Sequence, residues 1–363
     1  MNIPHCKPFF PPVEEYKAKI DLIWQNGWLT NQGPLVVEFE EKIAAYFGLK
    51  HVSFVSSGTM GLQCALRTLG GTGEIITTPY SYVATSSAIF WEGFKPVFAD
   101  IDPITLGVDA ALVEQKITLQ TRAILATHVY GIPASVEALQ NLAEKYNIRL
   151  IFDAAHAFGT RYKDKSLLDY GDMAVLSLHA TKLFHTANGG LVVCKSAEAK
   201  KKIDSLKNFG HNGPNNFDGP GINGKNSELH AALGLCNLQY ADDLLAQRQL
   251  QWTAYKVMLS KVLSDMNFIS IGEETIHNGA YFPILNLDSG TTDRIINRCN
   301  EAQIEIRRYF SPSLNQIDYL KGDSCPVSER LAKNVICLPL FHNLTPADQE
   351  QIVQIVTSCL SHD

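Results

Sequence analysis

Short β-branched runs alternate with amphipathic segments along the first two hundred residues. Segments 74–79 (EIITTP), 95–102 (KPVFADID), 122–131 (RAILATHVYG), 149–159 (RLIFDAAHAFG), 173–182 (MAVLSLHATK) and 189–194 (GGLVVC) read as strands. Each is a brief apolar run that closes on Pro, Gly, Asp or another polar residue. Between them, 58–70 (GTMGLQCALRTLG) and 135–147 (SVEALQNLAEKYN) carry helical spacing, the first opening after a Ser/Gly/Thr turn. Strands separated by helices predict an α/β domain with a largely parallel sheet covered on both faces. Ligands of such sheets gather beyond the carboxyl ends of the strands, so candidate residues should follow strands.

The pattern changes after about residue 196. A Lys-rich helix (AEAKKKIDSLKN) leads into a polar Gly/Pro/Asn loop at 210–225, too long for an ordinary connection. A long helix over roughly 227–263, broken at most once, follows. Beyond it, 281–287 and 335–341 read as strands, and 292–303 and 345–360 as helices. The 363 residues fit about two domains at roughly 150 residues each. We expect a large domain over 31–240, a smaller α/β domain over 241–363, and an N-terminal segment, 1–30, packing with the smaller one.

Composition narrows the class. With 45% hydrophobic and 19% charged residues, the chain is neither disordered nor short of core. A net charge of −6 argues against nucleic acid as a partner, because no Lys/Arg field accumulates. The 8 cysteines are scattered without a CxxC pair, which disfavours zinc and redox sites. No signal-peptide core and no membrane-length apolar stretch occur. The expectation is a cytoplasmic protein with free thiols, no metal and no membrane contact.

Four features stand where strands or loops end. Ser57, Gly58 and Thr59 open a helix, where unpaired N–H groups favour a phosphate; a plain N-cap would look the same. Asp153 closes the strand RLIFD, where an acid can serve a ribose, a metal, a heterocyclic nitrogen or merely the next turn. Ser177, His179 and Lys182 end another strand, and a lysine in such a crevice can become an imine-forming nucleophile. The 210–225 loop is apt for an anion or a second subunit. It also contains a near match to a phosphate loop, Gly219 to Asn226. Asn226 replaces the hydroxyl that Mg²⁺ needs and no predicted strand precedes it, so that reading is rejected. Taken jointly, a phosphate cradle, an acid, a lysine and a second hydroxyl are the parts that pyridoxal 5′-phosphate requires.

The order of these motifs resembles the DegT/DnrJ/EryC1/StrS family of nucleotide-sugar aminotransferases. GWLTNQGP (27–34), SSGTMGLQCAL, TTPYSYVAT (77–85), IFDAAHAFG, SLHATKLFHTANGG (177–190) and GINGKNSELHAALGL (221–235) all stand in the family's order. The resemblance implies the aspartate-aminotransferase-like (type I) fold: a large three-layer αβα domain plus a smaller C-terminal α/β domain. It implies Lys182 as the lysine that binds the cofactor aldehyde and shuttles the proton, and Asp153 as the acid on the pyridine nitrogen. Tyr82 would stack on the ring. Ser57, Gly58, Thr59 and Ser177 would hold the phosphate, and Asn223 would reach it from the neighbouring subunit of a homodimer with shared sites. His156 stands where many members carry glutamine. Thr30, Asn31, His185 and Tyr309 are candidates to line the substrate channel.

Two departures matter. Asn188 precedes Gly189 and Gly190 where the family commonly has Glu, so any site function of that acid would be lost. Lys182 is retained where the related sugar dehydratases carry histidine, which favours amino transfer over deoxygenation. The resemblance implies transfer from L-glutamate to C-4 of dTDP-4-keto-6-deoxyglucose, for bacterial surface-polysaccharide amino sugars. Amination at C-3 is the alternative; a sugar dehydratase or a non-catalytic sensor is a weaker one. An NAD-dependent sugar enzyme is disfavoured because the first strand–helix unit lacks GxGxxG.

Overall fold

The structure, a computed structural model, describes residues 2–360. Seven strands build its main sheet: β1 (Val52–Val55), β2 (Glu74–Thr77), β3 (Lys95–Phe98), β4 (Thr121–Thr127), β5 (Arg149–Asp153), β8 (Met173–Ser177) and β9 (Gly190–Cys194). Their order is β1-β9-β8-β5-β4-β2-β3. β9 pairs antiparallel with both its neighbours, while the other pairings are parallel, so six strands share one direction. β6 (Arg161–Tyr162), β7 (Lys165–Ser166) and β10 (Thr275–Ile276) form a small separate sheet.

The strands stop earlier than the apolar runs suggest. The run 149–159 is a strand only to Asp153, 122–131 only to Thr127, and 173–182 only to Ser177. Beyond those points the chain turns, as at Tyr130 and Gly131, whose φ angles are 55° and 82°. What looked like strand tails are turns at the carboxyl edge of the sheet, buried at 128–131 and part-exposed at 178–182, and apolarity alone does not separate turn from strand.

Helices cover both faces. On one side α3 (Gly58–Arg67), α4 (Val83–Trp91) and α7 (Ala197–Leu206) bury Leu62, Leu66, Ile89 and Ile203 against Val55, Ile75, Leu125 and Val192. On the other, α2 (Pro34–Phe47), α5 (Ala110–Lys116), α6 (Val136–Tyr146) and α8 (Glu228–Leu238) bury Phe39, Val113, Leu139 and Leu235 in one core with Phe54, Phe152 and Leu176. Glu228 joins two of these helices: its carboxylate accepts from Leu35 N (2.9 Å) and Val36 N (2.8 Å), satisfying the first N–H groups of α2.

The long helix is broken once, at Gln239–Tyr240, between α8 and α9 (Ala241–Leu259). A second core begins on α9, where Trp252, Tyr255 and Leu259 pack with Phe282, Ile284, Ile336 and Leu338. The last two pairs belong to the antiparallel strands β11 (Phe282–Ile284) and β12 (Ile336–Leu338). α10 (Ser289–Glu301) and α12 (Pro346–Leu360) close this core with Ile295, Ile352 and Val356. Tyr80 and Tyr130 of the large layer also enter it. Asp100, just past β3, accepts from Val327 N, Ser328 N and Ser328 Oγ (2.8, 3.0 and 2.6 Å), capping α11 (Pro326–Asn334) across the two layers.

The first thirty residues divide. Ile3 pairs through its backbone with Gln303 and Glu305 in the smaller layer. α1 (Val13–Asn26) packs instead on α8 of the larger one. Among the described residues no helix is long and apolar enough to cross a membrane, and the eight cysteines are free.

Candidate active site

The carboxyl ends of β1, β5 and β8 open into one cavity of about 360 Å³, roofed by residues of the smaller layer. Its walls include Ser57, Gly58, Thr59, Tyr82, Asp153 and His156. Ser177, Lys182 and Tyr309 complete the set of expected residues that the fold brings together there.

Lys182 lies in the turn after β8. Its Nζ donates to Tyr281 Oη at 3.3 Å, with the Tyr281 ring centroid 6.0 Å away. Burial costs the ammonium its hydration, and the negative charge of Asp153 only partly compensates, so the pKa falls to about 8.

Asp153 is buried at the end of β5. Its Oδ2 accepts from Thr85 Oγ1 (2.6 Å) and its Oδ1 from Ala155 N (3.1 Å). Behind Thr85 runs a line of hydroxyls: Thr127 Oγ1 to Ser81 Oγ at 3.1 Å, and Ser81 Oγ to Thr85 Oγ1 at 2.7 Å. Each hydroxyl that donates toward the carboxylate polarises the next, so the line favours the ionised acid. Burial pushes the Asp153 pKa up; Thr85, the Ala155 N–H and Lys182 pull against it.

Ser57 caps α3 by accepting from Met60 N (3.1 Å), which leaves the N–H groups of Gly58 and Thr59 without intrahelical partners. The Ser177 side chain is packed against this turn, since a Cβ on Gly58 would lie 3.1 Å from Ser177 Cβ. Gly190 of β9 completes the approach: a Cβ there would stand 2.6 Å from the Ser57 carbonyl group, so a side chain would push the turn away. Tyr82, 62% exposed, presents its ring at the mouth.

His156 is buried between the Tyr281 and Phe310 rings (centroids 4.5 and 5.7 Å), and its Nδ1 has no partner. Burial and the charge of Lys182 hold its pKa well below the ordinary value, so the ring is neutral.

Four expected residues lie outside these walls. Thr30 and Asn31 are exposed ahead of α2, and the Trp28 indole donates to the Thr30 carbonyl. Asn223 is exposed on the long loop, where it pairs with Asn208. His185 corrects the expectation that it faces the cavity: it is buried beneath the lysine turn, with Nε2 donating to the Phe9 carbonyl (2.8 Å) and Nδ1 accepting from Ala187 N (3.1 Å). Both ring nitrogens are committed, and burial lowers its pKa.

Other wall residues were not singled out from sequence: His5, Cys6, Arg248, Ala280 and Tyr281. Arg248 had a signal. It falls with Gln251 on the buried stripe of α9, where a charge is out of place. Asn188 also lines the cavity, where the family commonly has an acid.

The donor set fits pyridoxal 5′-phosphate. A helix start with two free N–H groups suits a phosphate, a buried carboxylate held by two donors suits a protonated ring nitrogen, and a lysine of lowered pKa suits an aldehyde. The buried, unpartnered Nδ1 of His156 suits a further polar atom of the ring. Among the described residues no three His, Cys, Asp or Glu side chains come together as a metal set.

Comparison with known proteins agrees with this geometry. Residues 13–357 match the DegT/DnrJ/EryC1/StrS aminotransferase family. The chain is 41% identical over 357 residues to dTDP-4-amino-4,6-dideoxy-D-glucose transaminase of Shigella dysenteriae, covering 96% of this chain and 97% of that protein. It is 36% identical over 371 residues to the transaminase of the same name from Escherichia coli, covering 99% and 98%. Among solved structures it is similar to DesI, determined in the presence of its TDP-sugar product, with a TM-score of 0.93 at 30% identity, covering 99% of this chain and 93% of DesI.

Proposed function

The chain belongs to the DegT/DnrJ/EryC1/StrS aminotransferase family, and from that premise we propose that it carries an amino group from L-glutamate to C-4 of dTDP-4-keto-6-deoxyglucose. Membership makes it a pyridoxal 5′-phosphate-dependent aminotransferase of nucleotide sugars. The finer reading is carried by one observation: two relatives named for that sugar match nearly end to end at 41% and 36% identity.

Bound in the cavity, the cofactor would supply an electron sink for a carbon that loses a proton. The residues around it divide the remaining work. The N–H groups of Gly58 and Thr59, with the hydroxyls of Ser57 and Ser177, would hold the phosphate. Asp153, kept ionised by the hydroxyl line from Thr127, would hold a proton on the ring nitrogen. Tyr82 would cover one ring face, and His156, neutral, would offer one ring nitrogen to the ring oxygen.

Lys182 Nζ would take the proton from the donor carbon that bears nitrogen and return it to the carbon on the far side of that nitrogen. In the second half-reaction it would deliver a proton to the sugar carbon that receives nitrogen. A base must be uncharged, and the burial that lowers the Lys182 pKa serves that need. Tyr309 lies where the sugar would enter, with Thr30 and Asn31 further out.

We also propose a homodimer with shared sites. Asn223 stands away from its own cavity on an exposed loop beside Phe209, Phe217 and Ile222, which are exposed apolar residues that a second copy would cover.

Incubation with dTDP-4-keto-6-deoxyglucose and L-glutamate, followed by NMR of the product, tests the reading. Nitrogen at C-4 is the expected result. Amination of only a 3-keto isomer would refute the assignment of carbon and leave the family intact.

A further inference from the structure

Besides the half-buried Lys182, the cavity contains a cation that is buried outright. Arg248 is 5% exposed and lines the wall from the buried stripe of α9. No carboxylate lies within ion-pair distance of it among the described residues, although 18 such pairs occur elsewhere. Its one described hydrogen bond runs from a guanidinium nitrogen to the Leu340 carbonyl. Burial lowers its pKa to about 10, with Tyr281 and Cys6 as the nearby groups opposing the fall, so it is charged at neutral pH. A guanidinium carries five N–H donors in a planar fork, and one carbonyl uses little of that capacity. A buried charge left without a counter-charge is costly unless a ligand supplies one.

His5 gives an independent sign of the same ligand. It lines the same cavity, is also 5% exposed, and its Nδ1 is buried with no hydrogen-bond partner. Its ring is fixed edge-on to Tyr309, at a centroid distance of 5.3 Å. The nearest acid, Glu305, is occupied by the His5 backbone N–H (3.1 Å) and by Arg307. Arg248 and His5 thus present unspent polar capacity to one space.

We propose that Arg248, assisted by His5, is the subsite for the α-carboxylate of the amino donor, which rests on the reading that an amino acid supplies the nitrogen. Two anions compete for such a subsite: the donor carboxylate and the diphosphate of the sugar nucleotide. Position favours the carboxylate. Tyr281 accepts from Lys182 Nζ and also feels the field of Arg248, and Cys6 feels both cations, so Arg248 belongs to the reacting end of the cavity. An α-carboxylate is bonded directly to the reacting carbon. The diphosphate of a 4-keto sugar is held away from its reacting carbon by the pyranose ring. A planar fork also matches a carboxylate through two parallel hydrogen bonds.

The test uses the cofactor-loaded protein, with the visible spectrum reporting the glutamate half-reaction and calorimetry reporting 2-oxoglutarate binding to the amine form. Arg248→Gln should weaken saturation by glutamate and binding of 2-oxoglutarate about 30- to 100-fold, while the half-reaction with the keto-sugar nucleotide changes less than about threefold. Arg248→Lys should recover part of the loss. His5→Phe, which keeps the ring contact with Tyr309, should weaken glutamate about 3- to 10-fold and carries the test should Arg248→Gln not fold. Glutamate saturation at wild-type concentrations in these variants would overturn the proposal and spare the function. Equal losses for glutamate and sugar would also overturn it, as a packing effect. A wild-type protein whose spectrum ignores glutamate would sink the donor reading and the subsite together.

Discussion

Capture of the cofactor by the apoprotein should depend on pH in a way set by Lys182. Only the neutral amine attacks an aldehyde, so the rate of capture follows the fraction of Lys182 that has lost its proton. A lysine of ordinary pKa, about 10.5, is about 0.1% neutral at pH 7.5. With the value of about 8 that burial imposes, about a quarter is neutral, an advantage on the order of 200-fold. The sign follows from the cause: burial disfavours the charged form, so capture should rise from pH 6, pass its midpoint near 8 and level off above about 9. Asp153 opposes burial by stabilising the ammonium. Asp153→Asn should therefore move the midpoint to lower pH, even where it weakens the final complex. Stopped-flow absorbance at saturating pyridoxal phosphate measures the capture step. A rate still climbing through pH 9.5, or a midpoint raised by Asp153→Asn, would refute the reasoning.

Three further outcomes are expected. Thr85→Val removes the 2.6 Å donor to Asp153 and the end of the hydroxyl line; a hydrogen bond to a charged group is worth about 1.5–3 kcal/mol, so equilibrium dialysis should show cofactor affinity at least about tenfold lower. Unchanged affinity would mean the line does not govern Asp153. Asp100→Ala strips the cap from α11 and should cost about 2–3 kcal/mol in urea unfolding, with a loss below about 0.5 kcal/mol counting against the cap. If sites are shared, inactive Lys182→Ala mixed with Asn223→Asp should regain roughly a quarter of wild-type activity, because half the dimers are hybrids with one intact site. No recovery after subunit exchange would place Asn223 outside the neighbouring site.

The residues legible in the sequence are those that sit where a strand stops. Asp153 and Ser177 end β5 and β8, and the helix start at Gly58 follows β1, so knowing that ligands gather at carboxyl ends was enough. The hydroxyl line was not legible, since Ser81, Thr85 and Thr127 meet only because β2, β4 and β5 lie side by side. His185 misled for a related reason. Three residues after Lys182 looks close, but the chain winds back under the turn and buries the ring against Phe9. Arg248 was readable as an anomaly in the stripe of α9, whereas nothing local in the sequence sets His5 beside it, 243 positions away. Helical spacing marked α3 and α6, whereas α4 is apolar nearly all round and the four residues of β1 are too few to show any period.

The cavity draws its walls from both ends of the chain, and this orders events during synthesis. The last strand of the main sheet ends at Cys194, whereas Tyr281 and Tyr309 emerge about 90 and 115 residues later. At roughly 5–20 residues per second, the sheet is complete some 5–20 seconds before the roof can close over it. For that interval the nascent chain carries Lys182, Asp153 and the α3 turn on an open sheet edge. Water still reaches the lysine there, so its amine stays protonated and slow to react. The burial that speeds cofactor capture is therefore complete only once residues 281–309 have been made.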